Sequence, residues 1–354
     1  MSEDKNSFLS LFLAPVGEFL TDDSVSEILI NGPSQVYIER KGRLEAVPVK
    51  FVSEPALRAA AVNIARSVER ILDEAHPDLD ARLPDGSRVH ATIPPISRVG
   101  TGVSIRKFKK DALSMAKLME FGSFDETGER IMDALVKLHR NIVVSGGTGS
   151  GKTTVLNCLS GLIPDRERIL ILEDSSELQL QQPHSVYFET RKPDKHGEGA
   201  FTIRDLVIAS LRLRPDRIVV GEVRGGEALD LLQAMNTGHS GSMTTIHANT
   251  PLDTLSRLET CAIMSGIDFP LTAIRAQVAS AINAIVQTAR LPDGSRKVVS
   301  ISEVLPLEAG QYRTREIYAW KTESVSPDGT LRGHHERRET PTFAEEAKMM
   351  NLPL

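Results

Sequence analysis

Gly146, Gly147, Thr148, Gly149, Ser150, Gly151, Lys152 and Thr153 follow one another in an order suited to holding a chain of phosphates. Glycines let a backbone turn several N–H groups inward with no Cβ in the way. Lys152 can bring an ammonium to the β- and γ-phosphates, the Thr153 hydroxyl can ligate Mg²⁺, and Thr154 continues the turn. A glycine-rich turn with a chance lysine would look the same in isolation, so the flanks decide. Ile142-Val143-Val144 reads as a buried parallel strand, and Val155, Leu156, Leu159 and Leu162 recur at helical spacing. Strand, glycine loop and helix in that order define a P-loop, with the partial positive charge of a helix N-terminus aimed at the anion.

Hydrolysis needs carboxylates as well. Ile218-Val219-Val220 ends in Gly221-Glu222, and the expectation is a strand beside the P-loop strand whose Glu222 supports Mg²⁺. The aspartate common in such segments is replaced by Gly221. A second acidic segment, Leu172-Glu173-Asp174-x-x-Glu177, places Glu173 to approach the metal and to orient or deprotonate the attacking water. Asp174 and Glu177 suit helix capping equally well. His239 and His247 bracket the run Ser242–Ile246 and could report the γ-phosphate to a neighbouring subunit. Without Cys or acids at ligand spacing, these histidines do not read as a metal site. Arg98, Arg106, Lys107, Lys109 and Lys110, with no acid between, read as a solvated edge or as a basic rim facing phosphates.

Strands and helices must position these groups, and their pattern divides the chain. Residues 1–112 read as an α+β domain: a helix over 8–20, a helix start within Leu20–Val25, strands near 28–30, 36–40 and 44–49, a helix over 54–72 capped by Ser53, a hairpin over 79–93 and a strand over 103–108. Residues 113–124 read as a linker. From Asp125 to residue 320, strands alternate with helices, which implies an α/β fold with a mostly parallel sheet covered on both faces. Late strands over 283–290, 297–305 and 311–319 read as antiparallel, and 321–354 as a mobile tail rich in Pro, Gly and charge.

Composition bounds the function. A chain of 354 residues accommodates two domains, and 40% hydrophobic with 25% charged residues is ordinary for a globular protein. The net charge of −5 gives no electrostatic case for nucleic acid. Cys158 and Cys261 are too few for a disulfide framework and suggest a reducing compartment. No run approaches the roughly 20 apolar residues of a membrane span, and the first residues lack the basic start of a signal peptide. A cytoplasmic protein that meets a membrane through a partner is expected.

Taken in order, the P-loop, the acidic segment, the Gly-Glu strand and the histidine segment resemble the secretion ATPases of type II and type IV systems. Within that group the chain is most similar to the CpaF-type ATPases of Flp/Tad (type IVb) pili. The segments Leu20-Thr-Asp-Asp-Ser-Val-Ser-Glu-Ile28, Asn31-Gly32, Arg82-Leu-Pro-Asp-Gly-Ser-Arg88-Val-His-Ala91, Ser104-Ile-Arg-Lys-Phe108, Arg212-Leu-Arg-Pro-Asp-Arg-Ile218 and Gly238-His-Ser-Gly-Ser242 carry the likeness, over about residues 20–305. The resemblance implies a RecA-like P-loop domain preceded by a PAS-like α+β domain. It implies a homohexamer at the cytoplasmic face of the inner membrane, ATP and Mg²⁺ as cofactors, and an integral platform protein as partner. N-terminal arginines then approach the phosphates: Arg88 and Arg106 lie in matching motifs, with Arg82, Arg204, Arg212 and Arg224 as further candidates. The expected activity is ATP hydrolysis driving pilus assembly, retraction or secretion. The alternatives are a nucleic-acid-stimulated motor on the same core and an ATP-gated scaffold with little turnover.

Overall fold

The computed structural model describes residues 12–40, 42–83, 85–107, 113–194 and 197–354. They divide into two units, Met1–Asp111 with Pro193–Gly199, and Ala112–Lys192 with Ala200–Leu354.

The first unit contains α1 (Gly17–Thr21), β1 (Val25–Asn31), β2 (Val36–Arg40), β3 (Arg43–Val47), α2 (Glu54–Ser67), β4 (Asp78–Arg82), β5 (Arg88–Thr92) and β6 (Gly102–Arg106). Its strands form one antiparallel sheet in the order β3-β2-β1-β6-β5-β4, two meanders joined through β1 and β6. Alternation sends Ile28, Ile30, Ile38, Val89, Ala91 and Ile105 inward against Leu57, Ala61, Ile64 and Ala65 of α2. Ser53 caps α2 by accepting from the Ala56 N–H at 3.3 Å, with Pro55 in the first turn.

Two details differ from the sequence reading. No helix starts within Leu20–Val25: α1 ends at Thr21 and β1 begins at Val25. Asp22 Oδ1 instead accepts from the backbone N–H of Ser24 at 2.9 Å and from its hydroxyl at 2.6 Å, the local turn with which short polar side chains compete against a helix. The helix expected to reach Leu72 stops at Ser67, and Glu69 takes a left-handed φ of 58°. The expected helix over 8–20 is described only from residue 12, and the end of the 103–108 strand lies outside the described residues.

The second unit holds α3 (Met115–Glu120), α4 (Glu126–Lys137), β7 (Ile142–Gly146), α5 (Lys152–Ser160), β8 (Ile169–Glu173), β9 (Ser185–Glu189), α6 (Ile203–Ser210) and β10 (Arg217–Val220). It continues with α7 (Glu227–Asn236), β11 (Met243–Ile246), α8 (Pro251–Ile263), α9 (Leu271–Ala281), β12 (Ala284–Arg290), β13 (Arg296–Glu308), β14 (Gln311–Val325), β15 (Leu331–Arg337) and α10 (Ala344–Met349). Among the described residues the sheet order is β15-β14-β13-β12-β7-β11-β10-β8-β9. Neighbours from β12 to β9 run parallel, and β13, β14 and β15 are added antiparallel. The β-branched runs bury both faces. Ile142, Val144, Ile169, Ile171 and Val219 pack with Ile131 and Leu135 of α4 and Leu156 and Leu159 of α5. Val143, Leu170, Leu172, Ile218 and Val220 pack with α6, α7, α8 and α9 through Val207, Leu232, Leu258 and Val278.

The late strands run antiparallel to one another as expected, β12 to β13 and β13 to β14, and β12 also pairs parallel to β7, Val286 opposite Val144, because the helices after β11 carry the chain back before the strand begins. One expectation about this sheet is corrected: β10 is not beside β7, since β11 lies between them. Residues 321–354 are also not a mobile tail. β14 runs on to Val325 and pairs with β15, the His335 ring stacks on Tyr318 with centroids 5.2 Å apart, and Phe343 and Ala347 are buried in the core. The charge that made this segment look like a tail is what a solvent-facing edge strand carries.

Candidate active site

The carboxyl ends of the parallel strands gather the chemistry. β7 feeds the glycine loop, whose Gly146, Gly149 and Gly151 adopt φ of 156°, 70° and 97°. Only Gly146 is also fixed by space, because a Cβ there would lie 2.4 Å from the Thr288 carbonyl oxygen. The N-cap Gly151 offers no side chain to the first N–H groups of α5, which leaves that helix end open to an anion. Thr148 is exposed, Thr153 and Thr154 are half-buried in the first turn of α5, and Ser150 is buried with its hydroxyl 2.8 Å from that of Thr288.

Lys152 is only 7% exposed. Its ammonium donates to the Gly147 carbonyl at 2.9 Å and to His247 Nδ1 at 3.3 Å, both neutral acceptors. Among the described residues no carboxylate lies within ion-pair distance of it. Burial lowers the pKa of this lysine. A buried cation held only by neutral acceptors is the arrangement that a phosphate completes.

From Lys152 a chain of polar contacts crosses the strand ends. His247, just after β11, faces Glu222 with Nε2 3.0 Å from Oε1. Arg224 donates through Nε to Glu222 Oε2 at 2.8 Å, and its Nη1 lies 3.9 Å from Asp174 Oδ2. With Nδ1 accepting from Lys152, the His247 proton sits on Nε2 and is donated to Glu222. Burial and the nearby Lys152 lower the His247 pKa, so the ring is neutral near pH 7. Glu227 fixes the turn, its Oε1 accepting from the N–H groups of Arg224 at 2.6 Å and Gly225 at 2.8 Å.

Glu173 ends β8 at 3% exposure. Its Oε1 accepts from the N–H groups of Glu177 at 2.9 Å and Leu178 at 3.0 Å. Burial pushes its pKa up to about 7, outweighing those two hydrogen bonds, with Glu177 and Glu189 adding to the rise. Such a carboxylate is poised to exchange a proton at neutral pH. The structure also accounts for glycine at 221: a Cβ there would lie 3.0 Å from Glu173 Cγ. Glu173 lies over Gly221, whose carbonyl accepts from Thr245 Oγ1 at 2.7 Å, so the ends of β8, β10 and β11 are fastened together.

A sequence profile described as Type II/IV secretion system protein matches residues 12–340. The chain belongs to the type II/IV secretion system protein family. Rv3659c of Mycobacterium tuberculosis is 34% identical over 321 residues, covering 89% of this chain and 90% of that one. The type IV secretion system protein VirB11 of Bartonella quintana is 31% identical over 325 residues, covering 82% and 91%. Two solved structures share the fold: the ATPase DotB of Legionella pneumophila, with TM-score 0.58, 19% identity and coverage of 84% and 81%, and the pilus retraction motor PilT with bound ADP, with TM-score 0.55, 18% identity and coverage of 97% and 86%.

Not every residue singled out in this secretion-system protein reaches the P-loop. His239 precedes β11 and His247 follows it, so a strand spanning roughly 13 Å separates them. Only His247 touches the loop. His239 lies at the amino edge of the sheet, where its carbonyl accepts from Ser242 Oγ at 2.8 Å. Its turn is built around Arg217, which is fully buried and donates to Glu167, the Gly241 carbonyl and the Val136 carbonyl. A Cβ on Gly241 would lie 1.8 Å from the Arg217 guanidinium, so that glycine serves packing. Arg204 is engaged with Asp230 at 2.7 Å and with the Ser265 carbonyl at 3.0 Å, and Arg212 is exposed.

In the first unit, Arg88 pairs with Arg106 across β5 and β6, and with Arg82 across β4 and β5. Three arginines therefore stand in one row on the face opposite the core, with Glu27 opposite Arg106 at its end.

The sequence reading missed the support of the loop from β12. Thr288 Oγ1 donates to the Ser145 carbonyl at 3.0 Å, and Gln287 Nε2 donates to the carbonyls of Ala248 at 3.2 Å and Asn249 at 3.1 Å. The available signal was a buried polar pair closing the apolar run Ala284–Val286.

Proposed function

We propose that this protein is a Mg²⁺-dependent ATPase whose hydrolysis drives a hexameric motor for pilus assembly or protein secretion. The carrying observation is the chain Lys152–His247–Glu222–Arg224 beside the P-loop, with the near-neutral carboxylate of Glu173 lying over Gly221. Lys152 exchanges its neutral acceptors for phosphate oxygens. That exchange takes the donor from His247 Nδ1, and the altered hydrogen bond passes through Nε2 to Glu222. In this way nucleotide state reaches the Arg224 turn. Thr153 and Glu222, with Glu173 nearby, are the residues to hold Mg²⁺, which when bound supplies charge neutralisation on the phosphates. Among the described residues no three His, Cys, Asp or Glu side chains form a protein cage, and Mg²⁺ at phosphates takes most of its ligands from phosphate and water. Glu173 accepts the proton of the attacking water, and Arg88 and Arg106 stabilise developing charge through permanent, planar guanidinium groups.

The names VirB11, DotB and PilT support the class of machine: secretion for the first, an ATPase for the second, pilus retraction for the third. Among the described residues no helix is long and apolar enough to cross a membrane, which suits a ring docked on an integral platform protein at the cytoplasmic face. The Flp/Tad pilus subgroup is our finer reading, and it rests on the segments carrying that resemblance. Phosphate release by the purified full chain tests the proposal. Lys152→Ala is expected to lower turnover to background, and turnover equal to wild type would exclude the P-loop as the catalytic site.

A further inference from the structure

The turn between β12 and β13, Leu291 to Arg296, projects at the same carboxyl edge as the P-loop, on the side of β7 away from β11 and β10. It is internally fixed. Leu291 N–H donates to the Ser295 carbonyl at 2.8 Å, Asp293 Oδ1 accepts from the Ser295 N–H and hydroxyl at 2.9 and 2.6 Å, and Asp293 Oδ2 accepts from the Leu331 N–H at 3.0 Å. The next residue on the strand, Lys297, holds the Gly122 carbonyl at 2.6 Å and lies 4.6 Å from the centre of the Trp320 ring. Arg296 itself lies on the loop. Its Nε donates to the Gly149 carbonyl at 2.8 Å, and its Cδ sits 3.5 Å from where a Cβ on Gly151 would be. The side chain is exposed, and among the described residues no carboxylate pairs with it and its two terminal amino groups meet no acceptor. A permanent cation is thus held in place at the mouth of the glycine loop, with part of its donor set unused.

The groups proposed to relay nucleotide state and hold the metal, His247 and Glu222, lie on the β11 and β10 side of β7. A nucleotide with its terminal phosphate turned toward them directs its other end toward the β12–β13 turn. We propose that Arg296 contacts the nucleoside portion of the bound nucleotide, its planar guanidinium stacking on the base and donating to the ribose. This rests on the ATPase reading above and deepens it, because it assigns a specificity residue outside the P-loop. The fixed turn makes the contact inexpensive in entropy.

The test uses calorimetric titration of the full chain and of Arg296→Ala and Arg296→Lys, each with ADP and with inorganic tripolyphosphate, after melting curves establish that the variants fold. Arg296→Ala is expected to weaken ADP binding roughly tenfold, the size of one lost contact to a charged group, while tripolyphosphate binding stays within about twofold of wild type. Arg296→Lys, which keeps the charge and loses the plane, is expected to restore only part of the ADP affinity. An equal loss for both ligands would show that Arg296 merely shapes the loop, and unchanged ADP binding would remove it from the site; either result overturns the proposal. A wild-type chain that binds neither ligand would instead overturn the nucleotide site itself.

Discussion

Exchange of Glu173 for glutamine separates what this carboxylate costs from what it does. Glu173 is 3% exposed, and burial raises its pKa from 4.5 to about 7. An unfolded chain would ionise it near its ordinary value, so the folded state holds the proton more tightly. A group of this kind contributes stability that is full below about pH 4.5 and lost as pH rises through about 7. The difference amounts to roughly 3 kcal/mol by about pH 8. Glutamine has nearly the same shape, keeps an oxygen for the N–H groups of Glu177 and Leu178, and never ionises. Glu173→Gln is therefore expected to be more stable than wild type at about pH 8, by up to about 3 kcal/mol. At about 2–4 °C per kcal/mol for a unit of this size, Tm rises by several degrees, and the gain fades as pH falls toward about 4.5. Phosphate release is expected to drop at least about 100-fold across the same pH range. Paired melting curves and turnover assays read both effects. A variant whose Tm tracks wild type at every pH would refute burial as the source of the shift. Turnover like wild type's would refute the role in water activation and leave Glu222 as the base.

Two other outcomes follow from the geometry. Gly241→Ala drives a Cβ to 1.8 Å from the Arg217 guanidinium at a residue with φ of 77°, and Arg217 is fully buried and held on three sides, so the expected loss is about 3 kcal/mol or more, measured by thermal melting; a Tm within a degree or so of wild type would contradict the packing role of that glycine. Arg88→Gln removes one member of the arginine row, and is expected to keep stability within about 0.5 kcal/mol while cutting turnover roughly 10³-fold if the row serves phosphates; chemical denaturation and phosphate release measure the two.

The P-loop was legible because its meaning is local: glycines, lysine and threonine are contiguous, and the strand before and helix after them show their own periods. Glu173 and Glu222 were legible as acids at the ends of apolar runs, a pattern that survives any arrangement of the sheet. The arrangement itself was not legible. Nothing in Ile218–Val220 records that β11 inserts between β10 and β7, so the neighbour of the P-loop strand proved to be the one ending in His247. His239 and His247 are close in sequence, yet β11 carries them to opposite edges of the sheet. Thr288 and Arg296 meet the loop from more than 130 positions away, beyond the reach of any window. The charged run His334–Arg338 looks like a tail in the sequence because an edge strand and a loop share a composition.

The close fit of Glu173 over Gly221 also limits how this site can change. An acid at position 221 and the present Glu173 side chain claim the same space, since even a methyl group there would press on Glu173. A side chain at 221 would require Glu173 to give way by a few tenths of an ångström, so the spacing between this acid and the strand ends below it depends on position 221 staying bare.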